Sequence, residues 1–484
     1  MILTLALRHL WVRKRRSAFL LFGFGLGVGV MIVLLSVGEA MLDQSRDVAL
    51  VGGGEITVLP QGIDAEALRT GGVSGMFFGI DRARFVSRQL LGGPRRQAFV
   101  AAVAPAIEGK LLYMRKEGAG AIAVRAGGEI PSRAAAVGAA LDVREGTWTD
   151  EPADSAWIAP SAQRLYDELD RFHLPLVPDS TWGEWQYFNV VAAPGEWWYL
   201  TLLVGGEVPA GHWGGQVLLT RRRPDGRYDR FVARAPSARV KLDTAGADLT
   251  VGESAVRQRG GVYHLSARAS GPAGEARVNL EIRPRPNVYF PAVELRADDF
   301  TSGYAVPALV AEASGTLCVA ARCAVIRGAP AYHDHNWGVW RDVTWEWGAA
   351  RGTSLALLYG GVRPPDAAAT PFFLTLVDSL GVRQVLRFRR IRYGGGRAAA
   401  GAPQVVAPER FQLDAVREAD TVSLSVVVED ALATRMRSEG MARHFIQMRG
   451  RFSVSGRVGG SLVADSGSGF FETYVTDRPS IFQR

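Results

Sequence analysis

The feature that most constrains this chain is an uncharged apolar run near its N-terminus. No residue between Ser17 and Gly38 is charged, and Phe, Leu, Val, Ile and Gly make up most of the run. About 20 such residues span the hydrocarbon core of a bilayer. Basic residues at positions 8–16 precede the run, and Glu39 and Asp43 follow it. Because flanking basic residues stay cytoplasmic, we predict a single-pass protein of a bacterial inner membrane, with a cytoplasmic N-terminus and a periplasmic main body.

Two alternatives for this run stay open at the sequence level. A cleaved signal peptide has an apolar core of only about 7–15 residues, which is shorter than this one. The glycines at 23, 25, 27 and 29 contain two overlapping GxxxG spacings. Small residues at that spacing let a second helix approach closely, so they predict either a partner helix or merely a glycine-tolerant span.

Length and composition limit the possible binding partners and the expected number of domains. The chain has 484 residues, which suggests about three domains, and a formal net charge of +8. Only four of its basic residues are lysines, and beyond the N-terminal cluster the arginines are interspersed with acids. We therefore predict no nucleic-acid partner, although a basic chain would ordinarily suggest one. No other apolar segment is long enough to be a second membrane span.

After residue 179 the sequence changes to short runs in which apolar and polar residues alternate, and Gly, Pro, Asp and Asn separate these runs. Many short strands of this kind favour a sandwich or a barrel. The region has room for two barrels of about 150 residues each. We therefore predict a mainly β chain with this division: 1–45 for the basic N-terminus and transmembrane helix, 46–174 for a small α+β segment and linker, 175–330 for a first barrel and 331–484 for a second.

Aromatic residues cluster in both predicted barrels. The candidates for a ligand-binding surface are Trp182, Trp185, Tyr187, Trp198, Tyr332, Trp345 and Trp347. Such residues bury large apolar areas and keep polar tips, so core packing explains them as well as a cavity does. The functional alternative is a cavity for a lipophilic small molecule.

The segment Tyr332-His333-Asp334-His335-Asn336-Trp337-Gly338 concentrates polar groups on a predicted strand. Because side chains alternate along a strand, His333 and His335 share one face and Asp334 the other. Zinc needs at least a third protein ligand, and His212, His264 and His444 have no supporting spacing, so we predict no metal and no other cofactor. Two interpretations of this segment remain open. One histidine could act in acid–base catalysis, or the segment could be a buried polar strand that joins two barrels.

Two further features carry chemistry. Cys318 and Cys323 are spaced as on the two strands of a tight hairpin, and we predict a disulfide because that is the usual state outside the cytoplasm. Glu346, between Trp345 and Trp347, is either a general acid or a solvent-facing strand residue.

The first 160 residues resemble the start of a MacB-type ABC permease. The resemblance lies in the basic segment RHLWVRKRRS at 8–17 with the apolar run behind it, in VAPAIEG at 103–109, in Ile130-Pro131-Ser132 and in LDVREGTW at 141–148. It implies a partial periplasmic core at 46–174. The three further membrane helices of such a permease are missing, so the resemblance implies an anchor that docks on an ABC permease through the Gly-rich helix.

The remainder, from about residue 175, resembles the carotenoid 1,2-hydratase (hydroxyneurosporene synthase) family and its AttH-like relatives. The matching segments are EWQYFN at 184–189, YHDHNWG at 332–338, WEWG at 345–348 and GFFE at 469–472. The resemblance implies two tandem lipocalin-like antiparallel barrels.

The functional residues of this family can be assigned to this chain only where individual positions match. His335 and Trp337 match a His and a Trp that are thought to serve hydration of a terminal double bond, and Tyr359 is a plausible match for a later Tyr. The family's Asp falls on Gly361, which has no acid. Asp334 completes our catalytic candidates, and His333 is a further ligand-binding candidate.

Two functions follow as hypotheses. The first is a membrane-anchored periplasmic accessory protein that binds a lipophilic molecule and is linked to an ABC export system. The alternative is a hydro-lyase or isomerase that adds water to, or rearranges, an isoprenoid or polyene substrate.

Overall fold

The structure is a computed structural model. It describes residues 14–46, 56, 58, 80–115, 120–138, 149–154, 157, 160–297, 300–341, 343–363, 372–436 and 443–476. The chain divides into two compact units, one of residues 1–78 and 102–152 and the other of residues 79–101 and 153–484. Part of the permease-like sequence, LDVREGTW at 141–148, lies outside the described residues.

The described residues form few helices. The α-helices of four or more residues are α1 (Lys14–Arg46), α2 (Ile80–Leu91), α3 (Pro131–Ala136) and α4 (Ala162–Leu169). In the part of the chain that the structure describes, α1 is the helix that is long and apolar enough to cross a membrane, over Lys14–Gly38. It is either a membrane anchor or a signal sequence, because length and hydropathy fit both.

The first unit also contains a β-hairpin. Its strands β1 (Ala106–Arg115) and β2 (Ala121–Glu129) are antiparallel, and α3 follows them. The permease-like segments VAPAIEG and Ile130-Pro131-Ser132 fall at the start of β1 and at the start of α3.

The second unit is almost entirely β-structure. Its first group of strands is β3 (Trp182–Ala193), β4 (Glu196–Glu207), β5 (His212–Arg222), β6 (Tyr228–Pro236), β7 (Val240–Leu242), β8 (Leu249–Val251), β9 (Ser254–Arg259), β10 (Val262–Gly271), β11 (Gly274–Pro284), β12 (Phe290–Ala297), β13 (Phe300–Val319) and β14 (Arg322–Val339). Its second group is β15 (Thr344–Gly352), β16 (Ala356–Arg363), β17 (Phe372–Asp378), β18 (Gly381–Phe388), β19 (Ile391–Gly394), β20 (Arg397–Ala399), β21 (Ala402–Ala407), β22 (Arg410–Arg417), β23 (Asp420–Met436), β24 (Arg443–Val458) and β25 (Ser461–Thr476).

Each group closes into an eight-stranded antiparallel barrel. The first runs β3-β4-β5-β6-β10-β11-β13-β14 and closes through the pairing of β14 with β3. The second runs β15-β16-β17-β18-β22-β23-β24-β25 and closes through β25 and β15. Both consist of four consecutive strands, a short excursion and four more strands. The prediction of a mainly β chain with two tandem barrels is confirmed.

The boundary between the barrels differs from the predicted division at residues 330 and 331. That division falls inside β14, whose residues 331–339 pair with β3 along the whole closure of the first barrel. The histidine segment is therefore the last strand of the first barrel. The predicted division came from sharing the region between two barrels of about 150 residues each, whereas hydrogen bonding along both edges keeps β14 one continuous strand.

A separate apolar cluster joins the outer faces of the two barrels, and we call it the seam. It contains Tyr187, Trp197, Tyr199, Val288, Tyr304, Val306, Leu309, Val310, Tyr332, Trp347, Ala349, Ala356, Leu358, Val377 and Phe470. These residues come from strands of both barrels, and all are buried. Burial of apolar surface in the seam stabilises the contact between the two barrels.

Candidate functional site

The two segments that the sequence singled out are neighbouring strands. EWQYFN lies on β3 and YHDHNWG lies on β14, and the two strands pair antiparallel where the first barrel closes. His335 lies opposite Gln186 and Trp337 lies opposite Glu184. Residues that are about 150 positions apart in the sequence therefore form one wall.

Alternation divides this wall into two compartments. Glu184, His333, His335 and Trp337 lie on the inner face, where they contact one another or the interior cluster of the first barrel. Tyr332 lies in the seam with residues of the second barrel. The prediction that His333 and His335 share one face is confirmed, because both contact the same carboxylate.

That carboxylate belongs to Asp170, the residue that ends α4. Its backbone N–H donates to the carbonyl of Tyr166, which fixes Asp170 at the helix C-terminus. One carboxylate oxygen lies 2.6 Å from Nδ1 of His335, and the other lies 2.9 Å from Nε2 of His333. Nδ1 of His333 lies 3.0 Å from the carbonyl oxygen of Tyr187. The side chains of Asp170 and both histidines are fully buried.

A second carboxylate extends the contacts toward solvent. Glu184 lies 2.9 Å from Nε2 of His335 and 3.3 Å from Nδ1 of His173. The backbone N–H of His173 donates to both carboxylate oxygens of Glu184, at 2.8 and 3.0 Å. The His173 ring stacks on Trp337 at 3.7 Å and keeps about 20 % of its side chain exposed. We call Asp170, His173, Glu184, His333 and His335 the His–carboxylate cluster.

The electrostatics of the cluster follow from these contacts. Burial would raise the pKa of Asp170, but His333 and His335 lower it to about 2. Burial would also raise the pKa of Glu184, and hydrogen bonds from His173 and His335 lower it instead. Burial would lower the pKa of His335, but Asp170 and Glu184 raise it to about 10. At neutral pH the first barrel therefore encloses an imidazolium between two carboxylates.

Asp334 on the outer face of the same wall, and Glu472 on β25 of the second barrel, are acids with raised pKa values. Burial, followed by the charge of Glu472, raises the pKa of Asp334 well above its usual range. Burial raises the pKa of Glu472 to about 7, although Trp345 donates a hydrogen bond to it at 2.9 Å. Asp334 accepts a hydrogen bond from Asn336 at 2.7 Å. The two compartments thus hold carboxylates in opposite states, because imidazoles face one and another acid faces the other.

The structure distributes the predicted ligand-binding aromatics over both compartments. Trp182 and Trp198 lie in the interior of the first barrel, within a densely packed cluster. The residues in the seam or packed against it are Trp185, Tyr187, Tyr332, Trp345 and Trp347. Trp347 donates a hydrogen bond to the hydroxyl of Tyr332 at 2.9 Å. The aromatics therefore do not line one common cavity.

Tyr359 belongs to neither compartment. It lies inside the second barrel and packs against Phe388, Phe411 and Phe471. It is not part of the His335 site, because the residue falls on a strand of the other barrel. Glu346 is also buried inside the second barrel, where the hydroxyl of Tyr393 lies 2.5 Å from its carboxylate.

Cys318 and Cys323 lie at the tip of the β13–β14 hairpin and are disulfide-bonded. They are opposite one another in the register of the two strands, as the spacing suggested. The disulfide closes the end of this hairpin and has no contact with the cluster.

Sequence reasoning missed Asp170, His173 and the role of Glu184. Asp170 follows a short amphipathic helix and His173 lies in an extended connection, so no strand pattern links them to β14. Glu184 stood inside a segment that was chosen for its aromatics. The one available signal was an acid directly after a helix and a histidine three residues later.

The cluster also offers ligand atoms for a cation. Nitrogen or oxygen atoms of His173, Glu184 and His335 all lie within 4.8 Å of one another. A small open cleft of about 290 Å³ lies elsewhere, where α2 and α4 meet the start of β12, and Arg84 and Tyr289 are among the residues that line it.

Comparison with known proteins gives distant structural matches alone. No family model matches the chain, and no curated protein sequence matches it. A protein assigned as AttH from Nitrosomonas europaea is 14% identical, with a TM-score of 0.42, over 63% of this chain and 96% of that one. Kievitone hydratase from Nectria haematococca is 14% identical, with a TM-score of 0.44, over 64% and 92%. CghA with Sch210972 is also 14% identical, with a TM-score of 0.44, over 64% and 97%.

Proposed function

We propose that this chain is an enzyme of hydratase or isomerase type, which uses acid–base chemistry on an unsaturated lipophilic substrate. One observation carries the proposal: the fully buried His335 contacts a carboxylate with each ring nitrogen, and one of these carboxylates, Glu184, also contacts the partly exposed His173. Ionised groups are costly to bury, so a triad of them that leads to a barrel end favours a chemical role.

In this proposal His173 is the residue that meets the substrate. No hydrogen bond joins its Nε2 to a described residue, whereas its Nδ1 faces Glu184. His335 touches a carboxylate with each nitrogen and is fully buried, so it acts through Glu184 and not on the substrate directly. Trp337 fixes the plane of the His173 ring by stacking. This assigns the family-like His335 and Trp337 to positioning and His173 to proton transfer.

The proposed reaction begins with protonation of a double bond in the substrate. His173 gives the proton on Nε2 to one carbon of a double bond, which leaves a carbocation on the other carbon. Water adds to that carbon and its surplus proton returns to Nε2, so hydration consumes one water and regenerates the acid. If the cation instead loses a neighbouring proton to Nε2, the product is an isomer.

The test is product analysis with defined alkenes. Purified full-length protein in detergent micelles is incubated with squalene or lycopene in water enriched in oxygen-18, and the products are analysed by mass spectrometry. We expect one labelled oxygen per hydrated double bond or an isomer of unchanged mass. His173→Gln should slow turnover by about 100-fold or more, because general acid–base catalysis contributes that much.

The matched control is His212→Gln. His212 is also paired with a glutamate, Glu207 at 3.4 Å, but its side chain is about 80 % exposed and lies outside the cluster. Turnover should survive this change. Equal turnover in wild type and His173→Gln would contradict the proposed role.

A second candidate function is that of an anchored accessory protein of an ABC export system. What favours it is α1, where glycines at 23, 25, 27 and 29 leave open space at the helix surface. Another membrane helix packs well on such a surface. In that case squalene or lycopene should bind without conversion, and cross-linking from position 25 should capture a permease subunit.

A further inference from the structure

Three side chains of the His–carboxylate cluster are arranged as metal ligands. One ligand atom of each of His173, Glu184 and His335 lies within 4.8 Å of the other two. The nitrogens that face Glu184 are Nδ1 of His173 and Nε2 of His335. We propose that this triad binds one divalent transition metal ion of the zinc class. Two imidazoles and a carboxylate are a ligand set that zinc takes in proteins, with a fourth position left for water or another molecule.

The distances fit a metal ion with little movement. Zinc bonds of about 2.0–2.2 Å in a tetrahedral site place ligand atoms roughly 3.3 Å apart. Here Nδ1 of His173 lies 3.3 Å from the carboxylate, and Nε2 of His335 lies 2.9 Å from it. Both distances are within about half an ångström of the tetrahedral spacing, and the ligand atoms of the two histidines lie within 4.8 Å of each other.

The groups behind the ligands are those that hold metal ligands in place. Asp170 accepts a hydrogen bond from Nδ1 of His335 at 2.6 Å, which leaves Nε2 directed at the proposed ion. The backbone N–H of His173 holds both oxygens of Glu184. A carboxylate behind a metal-bound histidine is a frequent arrangement, and it sets both the ring orientation and the basicity of the ligand.

Access and charge also favour a cation. His173 keeps about a fifth of its side chain exposed, so one of the three ligands is reached by solvent. Two buried carboxylates, Asp170 and Glu184, face the ligands, and no lysine or arginine is among the described contacts of the cluster. When the metal ion binds, it would replace the proton between His335 and Glu184, and that proton would be released to solvent.

The site shares side chains with the proposed proton path, but its test needs no substrate. Full-length protein in detergent micelles is stripped with EDTA, dialysed and titrated with zinc chloride by calorimetry. Cobalt chloride is titrated in parallel by visible absorption. We expect one equivalent of metal per chain and the intense absorption bands of tetrahedral cobalt.

The decisive variant is His173→Ala, because His173 is the partly exposed ligand and its loss leaves the buried groups Asp170, Glu184 and His335 in place. We expect at least tenfold weaker zinc binding and loss of the cobalt bands, whereas His212→Ala should bind as wild type does. Circular dichroism checks the fold of both. The absence of stoichiometric binding, or equal binding by His173→Ala, would overturn the metal site and leave the proton-transfer proposal standing.

Discussion

At the scale of single residues, the molecule shows how neighbours set the state of a buried acid. The imidazoles of His333 and His335 lower the pKa of Asp170 to about 2, whereas burial raises the pKa of Glu472 to about 7. Both carboxylates are buried to a similar degree. Burial alone therefore does not decide the charge of either group.

Glu472 provides a prediction about pH and stability. Its pKa of about 7 in the folded protein is above the ordinary value of 4.5, so the folded state holds this proton more tightly than the unfolded state. The resulting stability is fully present below about pH 4.5 and is lost as the pH rises through 7. Wild type should lose on the order of 2 kcal/mol more than Glu472→Gln between pH 5 and pH 8.

The measurement is urea unfolding at both pH values, followed by tryptophan fluorescence. Glutamine keeps an acceptor for the Trp345 hydrogen bond, so the variant changes the charge and little else. Glu418→Gln, at an exposed turn, is the control and should leave the pH dependence unchanged. If Glu472→Gln and wild type show the same pH dependence, the acid is not held protonated.

At the scale of elements, the short helix α4 positions the deepest part of the site. Ser161 accepts a hydrogen bond from the backbone N–H of Arg164 at 3.2 Å and so caps the N-terminus of α4. The helix then ends at Asp170. Its buried residues Tyr166 and Leu169 hold it against the first barrel.

This cap gives a prediction about local stability. Ser161→Ala should destabilise α4 by about 1 kcal/mol, because one helix N–H loses its partner. Amide hydrogen exchange over residues 162–174 should therefore become about fivefold faster under conditions where exchange follows local opening. Ser161→Asp keeps a capping oxygen and should exchange as wild type does. Unchanged exchange in Ser161→Ala would show that the packing of Tyr166 and Leu169 alone holds the helix.

The elements also show what sequence could and could not predict. Alternation placed His333 and His335 on one face of a strand and Asp334 on the other, since a strand alternates whatever surrounds it. The division at residues 330 and 331 rested on domain size alone, which cannot show that residues 331–339 pair with β3. Asp170 and His173 were missed because connections outside strands carry no periodicity that links them to a distant strand.

At the scale of the whole molecule, the apolar helix α1 and its charged flanks set the expected topology. The basic residues before α1 and the acids after Gly38 predict a cytoplasmic N-terminus. Alkaline phosphatase fused after residue 180 should therefore be active in an Escherichia coli host, and β-galactosidase fused at the same point should be inactive.

The opposite pattern at equal expression would reverse the orientation. N-terminal sequencing of the mature protein separates the two interpretations of α1. A start near Glu39 would indicate a cleaved signal sequence, and an intact start would indicate an anchor. The MacB-type and ABC-export readings remain predictions, which a permease partner recovered with the full chain would support.

The alternation along β14 has a consequence for how this protein can change over evolutionary time. Odd positions of the strand, such as 333, 335 and 337, are constrained by the first barrel, and even positions, such as 332 and 334, by its junction with the second. Substitutions at the two sets should therefore accumulate independently, each together with its own partners. A one-residue insertion or deletion would exchange the sets and disrupt both, so the length of this strand should be more tightly constrained than most of its individual residues.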